Sequence, residues 1–302
     1  MDKITTKFSI VTIVGRPSSG KSTLINNICN QKISIVSPVP QTTRNTIKGI
    51  YQDQRGQLVL TDTPGFHISE KKFNKKLKDL AITKLKESDL ILYMVDSIRN
   101  LGEEEQEIIK LLQDCYIQKN IIILFNKMDI IKDQDAFNKK KQEILKNFDE
   151  DITSINISAL KDHDNMYKLI DILFAKSNFD HLFYDNDTVT DQSLNFRISE
   201  LIREKAIFEL KKELPHDIYV SIYDIEERKK SKIKYFLRVF ICVASESQKR
   251  IIIGHNGSKI KKIRERSQEA LLSLIGETYL DLRVKVDAKW KNKDKLINRI
   301  VY

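Results

Sequence analysis

The run Gly15-Arg16-Pro17-Ser18-Ser19-Gly20-Lys21-Ser22 holds the densest concentration of chemistry-bearing residues in the chain. It matches G-x-x-x-x-G-K-S, a loop whose backbone N–H groups wrap phosphate oxygens while the lysine reaches the β- and γ-phosphates and the serine hydroxyl ligates Mg²⁺. A helix opening at Lys21, with Thr23 in its first turn, adds the partial positive charge of its N-terminus. Asp62-Thr63-Pro64-Gly65 follows the apolar run Leu58 to Leu60. That order puts a carboxylate at a strand end, where it can hold the metal, and a glycine amide where a γ-phosphate would sit.

Asn126-Lys127-Met128-Asp129 follows Ile121 to Phe125. A carboxylate at Asp129 can accept both the N1–H and the 2-amino donors of guanine, a pair that adenine lacks. Ser158-Ala159-Leu160 comes after the last strand of this region and completes the base pocket, with the Ala159 amide near the guanine O6. Each piece alone has a bland reading as a turn. In this order, at the C-terminal ends of successive strands, they form a guanine-nucleotide site.

A second constellation lies far downstream. In Ile251-Ile252-Ile253-Gly254-His255-Asn256-Gly257-Ser258-Lys259-Ile260-Lys261-Lys262-Ile263 two glycines separate a short helix from a long one. Glycines there let two helix ends approach a phosphate backbone, and Lys249, Arg250, Lys259, Lys261, Lys262, Arg264 and Arg266 surround the loop. The pattern is similar to the GXXG loop of a KH domain, which clamps about four nucleotides of single-stranded RNA. His255 and Asn256 fill its middle positions, so phosphate contact falls to backbone and neighbouring cations. Ile253 and Ser258 complete the candidate RNA site.

These sites need a scaffold. Phe8 to Gly15, Gln57 to Thr61, Leu90 to Val95, Asn120 to Phe125 and Ile152 to Ile157 read as short buried strands. Between them Phe73 to Glu87, Glu103 to Gln113, Asp135 to Asn147 and Asn165 to Ala175 read as helices. Strands alternating with helices predict an α/β domain with a mostly parallel sheet covered on both faces, over residues 1–175. Residues 176–195 are polar and aspartate-rich and read as a linker. From 196 to 302 the order is a helix (Phe196 to Glu213), strands Ile218 to Ile225 and Tyr235 to Ala244 around a basic turn, a short helix, the GXXG loop, a long helix (Ser258 to Gly276) and a strand (Tyr279 to Val286). That α-β-β-α-α-β order is the type II KH arrangement, an α+β domain.

Charge separates the same two regions. Of 52 Lys+Arg and 42 Asp+Glu in 302 residues, the stretch from Phe196 to Tyr302 holds 25 basic and 15 acidic, so the whole net charge of +10 lies there. An excess confined to one domain is the footprint of a polyanion binder. Cys29, Cys115 and Cys242 are scattered, which excludes a disulfide framework and a cysteine zinc site. No run approaches the roughly 20 apolar residues of a membrane span, and the first residues lack a signal core, so a cytoplasmic protein is expected.

Pro40-Gln41-Thr42-Thr43-Arg44, Asp62-Thr63-Pro64-Gly65-Phe66-His67, the C-terminal Gly-x-x-Gly domain and the ending Lys289-Trp290-Lys291-Asn292-Lys293 together resemble the Era family of bacterial ribosome-assembly GTPases. The resemblance spans essentially the whole chain. It implies GTP hydrolysis with Mg²⁺, binding of 16S ribosomal RNA near its 3′ end, a part in small (30S) subunit assembly, a monomer, and peripheral contact with the membrane. It makes Thr43 the switch threonine that ligates Mg²⁺ beside Ser22 and Asp62, and Lys21, Thr43 and Gly65 the catalytic set. Phe66 stands where Ras-like enzymes place a water-positioning glutamine, which implies slow intrinsic turnover. Relatives carry Asn at the position of Ser18, where it helps hold an activating K⁺; Ser18 offers an oxygen of shorter reach. Arg264 stands where relatives have a small residue. Two alternatives use the same residues: an RNA-binding factor with GTP as a switch ligand and negligible turnover, and a membrane-surface signalling GTPase. Trp290 is read as core in preference to a base-stacking surface.

Overall fold

The computed structural model describes residues 6–37, 45–65, 79, 82–114, 120–210, 217–228, 232–288 and 290. The chain divides into two compact units, one of Met1–Ser34 with Thr43–Asp191 and one of Ile35–Thr42 with Gln192–Tyr302.

In the first unit the described elements are β1 (Lys7–Val14), α1 (Lys21–Ile28), β2 (Ile47–Asp53), β3 (Gly56–Asp62), β4 (Leu90–Asp96), α2 (Glu103–Asp114), β5 (Ile121–Asn126), α3 (Gln134–Leu145), β6 (Thr153–Asn156), α4 (His163–Lys176) and β7 (Asn178–Phe179). The sheet runs β2-β3-β1-β4-β5-β6. From β3 to β6 all neighbours are parallel, whereas β2 is antiparallel to β3. Every residue of β3, β4 and β5 is buried, as expected of parallel strands with helices on both faces. Helix α4 buries Met166, Leu169, Ile170, Leu173 and Phe174, one stripe at helical spacing. Asp133 and Asp162 cap α3 and α4 by accepting from the N–H groups of Ala136 (2.9 Å) and Asn165 (3.0 Å). Three glutamates in the first turn of α2 complement its N-terminal dipole. Of the expected helix Phe73 to Glu87, residues 79 and 82–86 are helical and Glu87 lies in a turn; the rest lies outside the described residues.

The stretch read as a linker differs from that reading. Residues 178–179 pair antiparallel with the start of β1, and the Ile50 N–H donates to the Val189 carbonyl (2.9 Å). Gln57 exchanges hydrogen bonds with Tyr184, its amide donating to the carbonyl (3.0 Å) and its oxygen accepting from the N–H (3.2 Å). Phe183 packs on Phe8 with centroids 4.4 Å apart and planes tilted by 33°. A polar composition concealed this because the segment is held by main-chain groups along open strand edges, a common way of covering them.

The second unit contains α5 (Leu194–Glu209), β8 (Tyr219–Glu227), β9 (Tyr235–Val243), α6 (Glu246–Ile253), α7 (Ser258–Ile275) and β10 (Thr278–Val286), the expected α-β-β-α-α-β order. Strand β9 is central, antiparallel to β8 and parallel to β10. Leu237, Val239, Ile241 and Val243 alternate along β9 into one core with Ile198 and Ile202 of α5, Ile263 and Leu271 of α7, and Leu280 and Leu282 of β10. That period of two leaves Phe236, Arg238 and Phe240 for the opposite face. Trp290 is 1% exposed and packs on Tyr219 and Cys242, so it is core. Val36, counted with this unit, donates its N–H to Glu204 of α5 (3.0 Å).

Candidate nucleotide and RNA sites

The glycine loop turns sharply between β1 and α1. Gly20 has φ +110°, and a Cβ there would lie 2.2 Å from Asn126 Nδ2; Ser18 takes φ +65°. Only glycine fits at position 20, since an L side chain would be strained and would strike Asn126. Lys21 is buried and donates its Nζ to the carbonyls of Gly15 (3.0 Å) and Arg16 (2.9 Å). Burial pulls its pKa down to about 8, with Asp62 and Glu105 acting in the opposite sense.

Ser22 Oγ donates to Asp62 Oδ2 at 2.6 Å, and so does Ser34 Oγ at 2.8 Å. A hydroxyl and a carboxylate converging at the strand end are the hard oxygen donors Mg²⁺ takes when phosphates and waters supply the rest. Among the described residues no cluster of three or more His, Cys, Asp or Glu could hold a metal by itself. Thr63 is anchored by its hydroxyl on the Ile13 carbonyl (2.7 Å). At Gly65 a Cβ would come within 2.8 Å of the Pro17 backbone, so the loop after β3 passes directly against the phosphate loop. Thr43 and Phe66 lie outside the described residues.

Asn126 ties the two ends of the site together. Its Nδ2 donates to the Ser19 carbonyl (2.7 Å), and its Oδ1 accepts from the Ala159 N–H (2.8 Å). Lys127, at φ +69°, donates to Asp96 Oδ2 (2.7 Å). Asp129 Oδ1 accepts from the Ser158 hydroxyl (2.8 Å), and Lys161 stands 3.4 Å from Oδ2. The Ser158 bond is the main reason its carboxyl sits below the usual range. Leu160 is exposed and Met128 closes the turn through its N–H to the Ile157 carbonyl (3.3 Å).

Arg16 is placed differently from a phosphate ligand. Its guanidinium donates to Glu104 (2.7 Å), Glu105 (3.0 Å) and the Asn100 carbonyl (3.1 Å), so the side chain is committed to the start of α2 and leaves only its main chain to the phosphates. Ser34, Asp96 and Asn27, which donates to the Ala159 carbonyl, are supporting residues that the motifs do not contain. Nothing in their spacing marks them, because each acts across the fold.

In the second unit Gly254 (φ +73°), Asn256 (φ +48°) and Gly257 (φ +74°) make the turn between α6 and α7. A Cβ at Gly254 would lie 2.8 Å from the Lys259 Cβ, while Gly257 has open space around it. Ile252 is buried beneath the turn; His255 and Asn256 are exposed and within 3.3 Å of each other. Ser258 begins α7, whose first turn leaves N–H groups without intrahelical partners, and Lys259 lies in that turn. Lys249 pairs with Glu246 at 3.9 Å, Lys261 with Glu265 at 4.0 Å and Lys262 with Glu209 at 3.7 Å. Contacts this long are weak, so these cations can turn to a phosphate. Arg250, Lys259 and Arg264 enter no ion pair among the described residues.

Residues 10–127 match the family described as 50S ribosome-binding GTPase, and residues 213–291 match the KH domain. GTPase Era of Borrelia garinii subsp. bavariensis is 45% identical over 300 residues, covering 98% of this chain and 99% of that one. GTPase Era of Treponema denticola is 41% identical over 295 residues, covering 97% and 99%. Among solved structures, Era in complex with MgGDPNP and nucleotides 1506–1542 of 16S ribosomal RNA superposes with a TM-score of 0.91 at 30% identity, over 98% of this chain and 100% of that one. A variant of Aquifex aeolicus Era bound to GDP and AlF4⁻ gives 0.90 at 30% identity, over the same shares. With a phosphate loop in the first unit, a glycine-hinged basic turn in the second and likeness to these proteins over 97–98% of its length, the chain belongs to the GTPase Era family.

Proposed function

We propose that the protein couples GTP binding and hydrolysis to holding 16S ribosomal RNA near its 3′ end during assembly of the small ribosomal subunit. The observation that carries the nucleotide half is the Asn126 bridge, which fixes the phosphate loop and the base pocket in one rigid frame. Residues Gly15 to Thr23 cradle the phosphates, Asp129 selects guanine, and the Ala159 amide meets its O6. Ser22, Asp62 and Thr43 would hold Mg²⁺, which would neutralise charge on the β- and γ-phosphates. Lys21 and the Gly65 amide stabilise the transferring phosphoryl group while water attacks in line. Phe66 in place of a glutamine makes unaided turnover slow, and Ser18 makes any activation by K⁺ weaker than an asparagine would.

The RNA half rests on the loop Ile253 to Ser258, flanked by Lys249, Arg250, Lys259, Lys261 and Lys262. The proposed working units are a G domain and a KH domain acting in a cytoplasmic monomer; among the described residues no helix is long and apolar enough to cross a membrane. The test measures binding of a single-stranded RNA from the 3′ end of 16S ribosomal RNA with a GTP analogue, GDP or no nucleotide, beside Gly254→Asp. Tighter binding with the analogue, lost in the variant, supports a GTP-gated clamp. Equal binding in every state removes the coupling.

A further inference from the structure

In the second unit the sheet face opposite the helices carries an aromatic and cationic surface that the GXXG loop does not use. Phe236 and Tyr279, register partners on β9 and β10, stack with centroids 5.2 Å apart and planes 13° from parallel. A β-bulge between Ile222 and Asp224 on β8 sets Tyr223 out from the sheet, 70% exposed and edge-on to Phe240. Tyr279 is 47% exposed. The Arg238 guanidinium lies 5.8 Å from the Tyr223 centroid and 5.9 Å from that of Phe236, and Arg228 lies 5.2 Å from Phe236.

Burial does not explain Tyr223 and Tyr279, which are exposed, since the main core of this unit lies on the other face of the sheet. We infer that this surface, with Tyr223, Phe236, Tyr279 and Arg238 at its centre, is a second RNA-contact site that stacks unpaired bases. This inference rests on the RNA-binding reading of the second unit. Aromatic side chains on an open sheet are a sequence-tolerant platform for bases, and guanidinium groups beside them add stacking and meet the phosphates.

Charge complementarity favours RNA over a hydrophobic protein partner. Arg228, Arg238, Arg283 and Lys285 all lie on or over the face. Of the three carboxylates that the register places at the Tyr223 and Tyr279 end among the described residues, two are engaged: Asp281 with Arg283 (2.9 Å) and Arg238 (3.4 Å), and Glu226 with Arg228 (3.4 Å). The third, Asp224, is the register partner of Arg238. A guanidinium has five N–H donors, so these pairs leave capacity for phosphate oxygens. Trp290 closes the far end of the same face against Tyr219 and Cys242, which confines the open platform to the Tyr223 and Tyr279 end.

The test uses the full chain with Tyr223→Ala and Tyr279→Ala, singly and together, beside Gly254→Asp, with thermal unfolding to confirm that the exposed substitutions leave the fold intact. Two probes are used: an RNA corresponding to nucleotides 1506–1542 of 16S ribosomal RNA, and a single strand of about six nucleotides that fills only the GXXG loop. The double tyrosine variant is expected to bind the long RNA about tenfold to a hundredfold more weakly and the short strand unchanged. Unchanged affinity of the folded double variant for the long RNA overturns the inference, and points to a protein contact if binding to whole small subunits falls instead. If Gly254→Asp binds both RNAs as the unmodified protein does, the GXXG loop is not the clamp; if the unmodified protein binds neither RNA, the RNA-binding reading itself fails.

Discussion

Truncating Asn126 to alanine tests the idea that one buried amide holds both ends of the nucleotide site. The side chain is 3% exposed, touches the phosphate loop at the Ser19 carbonyl (2.7 Å) and the base loop at the Ala159 N–H (2.8 Å). Asn126→Ala leaves a buried acceptor and a buried donor without these bonds, at about 1–3 kcal/mol each, so the total is about 2–6 kcal/mol shared between folding and binding. Because the amide joins the phosphate loop to the base loop, GTP and GDP should weaken by the same factor, about fivefold to 150-fold if half of that cost falls on binding. Equilibrium titration with fluorescent GDP and GTP analogues gives the binding share. Urea unfolding with and without nucleotide gives the stability share. A loss below about threefold in affinity with unchanged stability, or a loss confined to GTP, would refute the bridge. Gly20→Ala, whose Cβ would sit 2.2 Å from the same Nδ2, should reproduce the phenotype by pushing the amide aside.

Asp129→Asn should abolish GTP binding while admitting xanthosine triphosphate, whose extra carbonyl accepts from the new amide; competition between the two nucleotides measures the exchange. Lys21 has its pKa lowered to about 8, so its ammonium is present at neutral pH and lost as pH rises through that value. Phosphate binding needs the charged form, and GTP affinity should fall about tenfold between about pH 7 and pH 9, measured by calorimetry; a flat profile would contradict it. Trp290→Ala removes a fully buried indole from between Tyr219 and Cys242 and should cost about 3–5 kcal/mol, read as a lowered urea midpoint with GDP affinity unchanged.

The division between what was legible and what was not follows contact range. The phosphate loop, the strand-end Asp62, Asn126 with Asp129, and the Gly254 to Gly257 turn could be read directly, because their chemistry depends on residues adjacent in the chain. The buried strands were equally plain, since helices on both faces leave an uninterrupted apolar run, and β4 and β5 are such runs. The edge strand β2 and the docked segment 178–191 were not. Their positions are fixed by main-chain hydrogen bonds, such as Ile50 to Val189, which any sequence can supply.

Side-chain direction was likewise decided only by the fold. Arg16 sits inside the phosphate-loop motif, and the sequence assigns it to the nucleotide; two glutamates almost ninety positions away draw its guanidinium to α2 instead. Ser34 carries no motif, yet it shares Asp62 with Ser22 because the chain after α1 returns past the end of β3. The aromatic face of the second sheet appears in the sequence as separate residues on three strands, and only the register brings Phe236 onto Tyr279. The sequence by itself determined the chemistry available and the order of the elements, because both are local. Which buried charge meets which partner, and which face stays open, depends on packing between residues distant in the chain, and only the tertiary structure decided that.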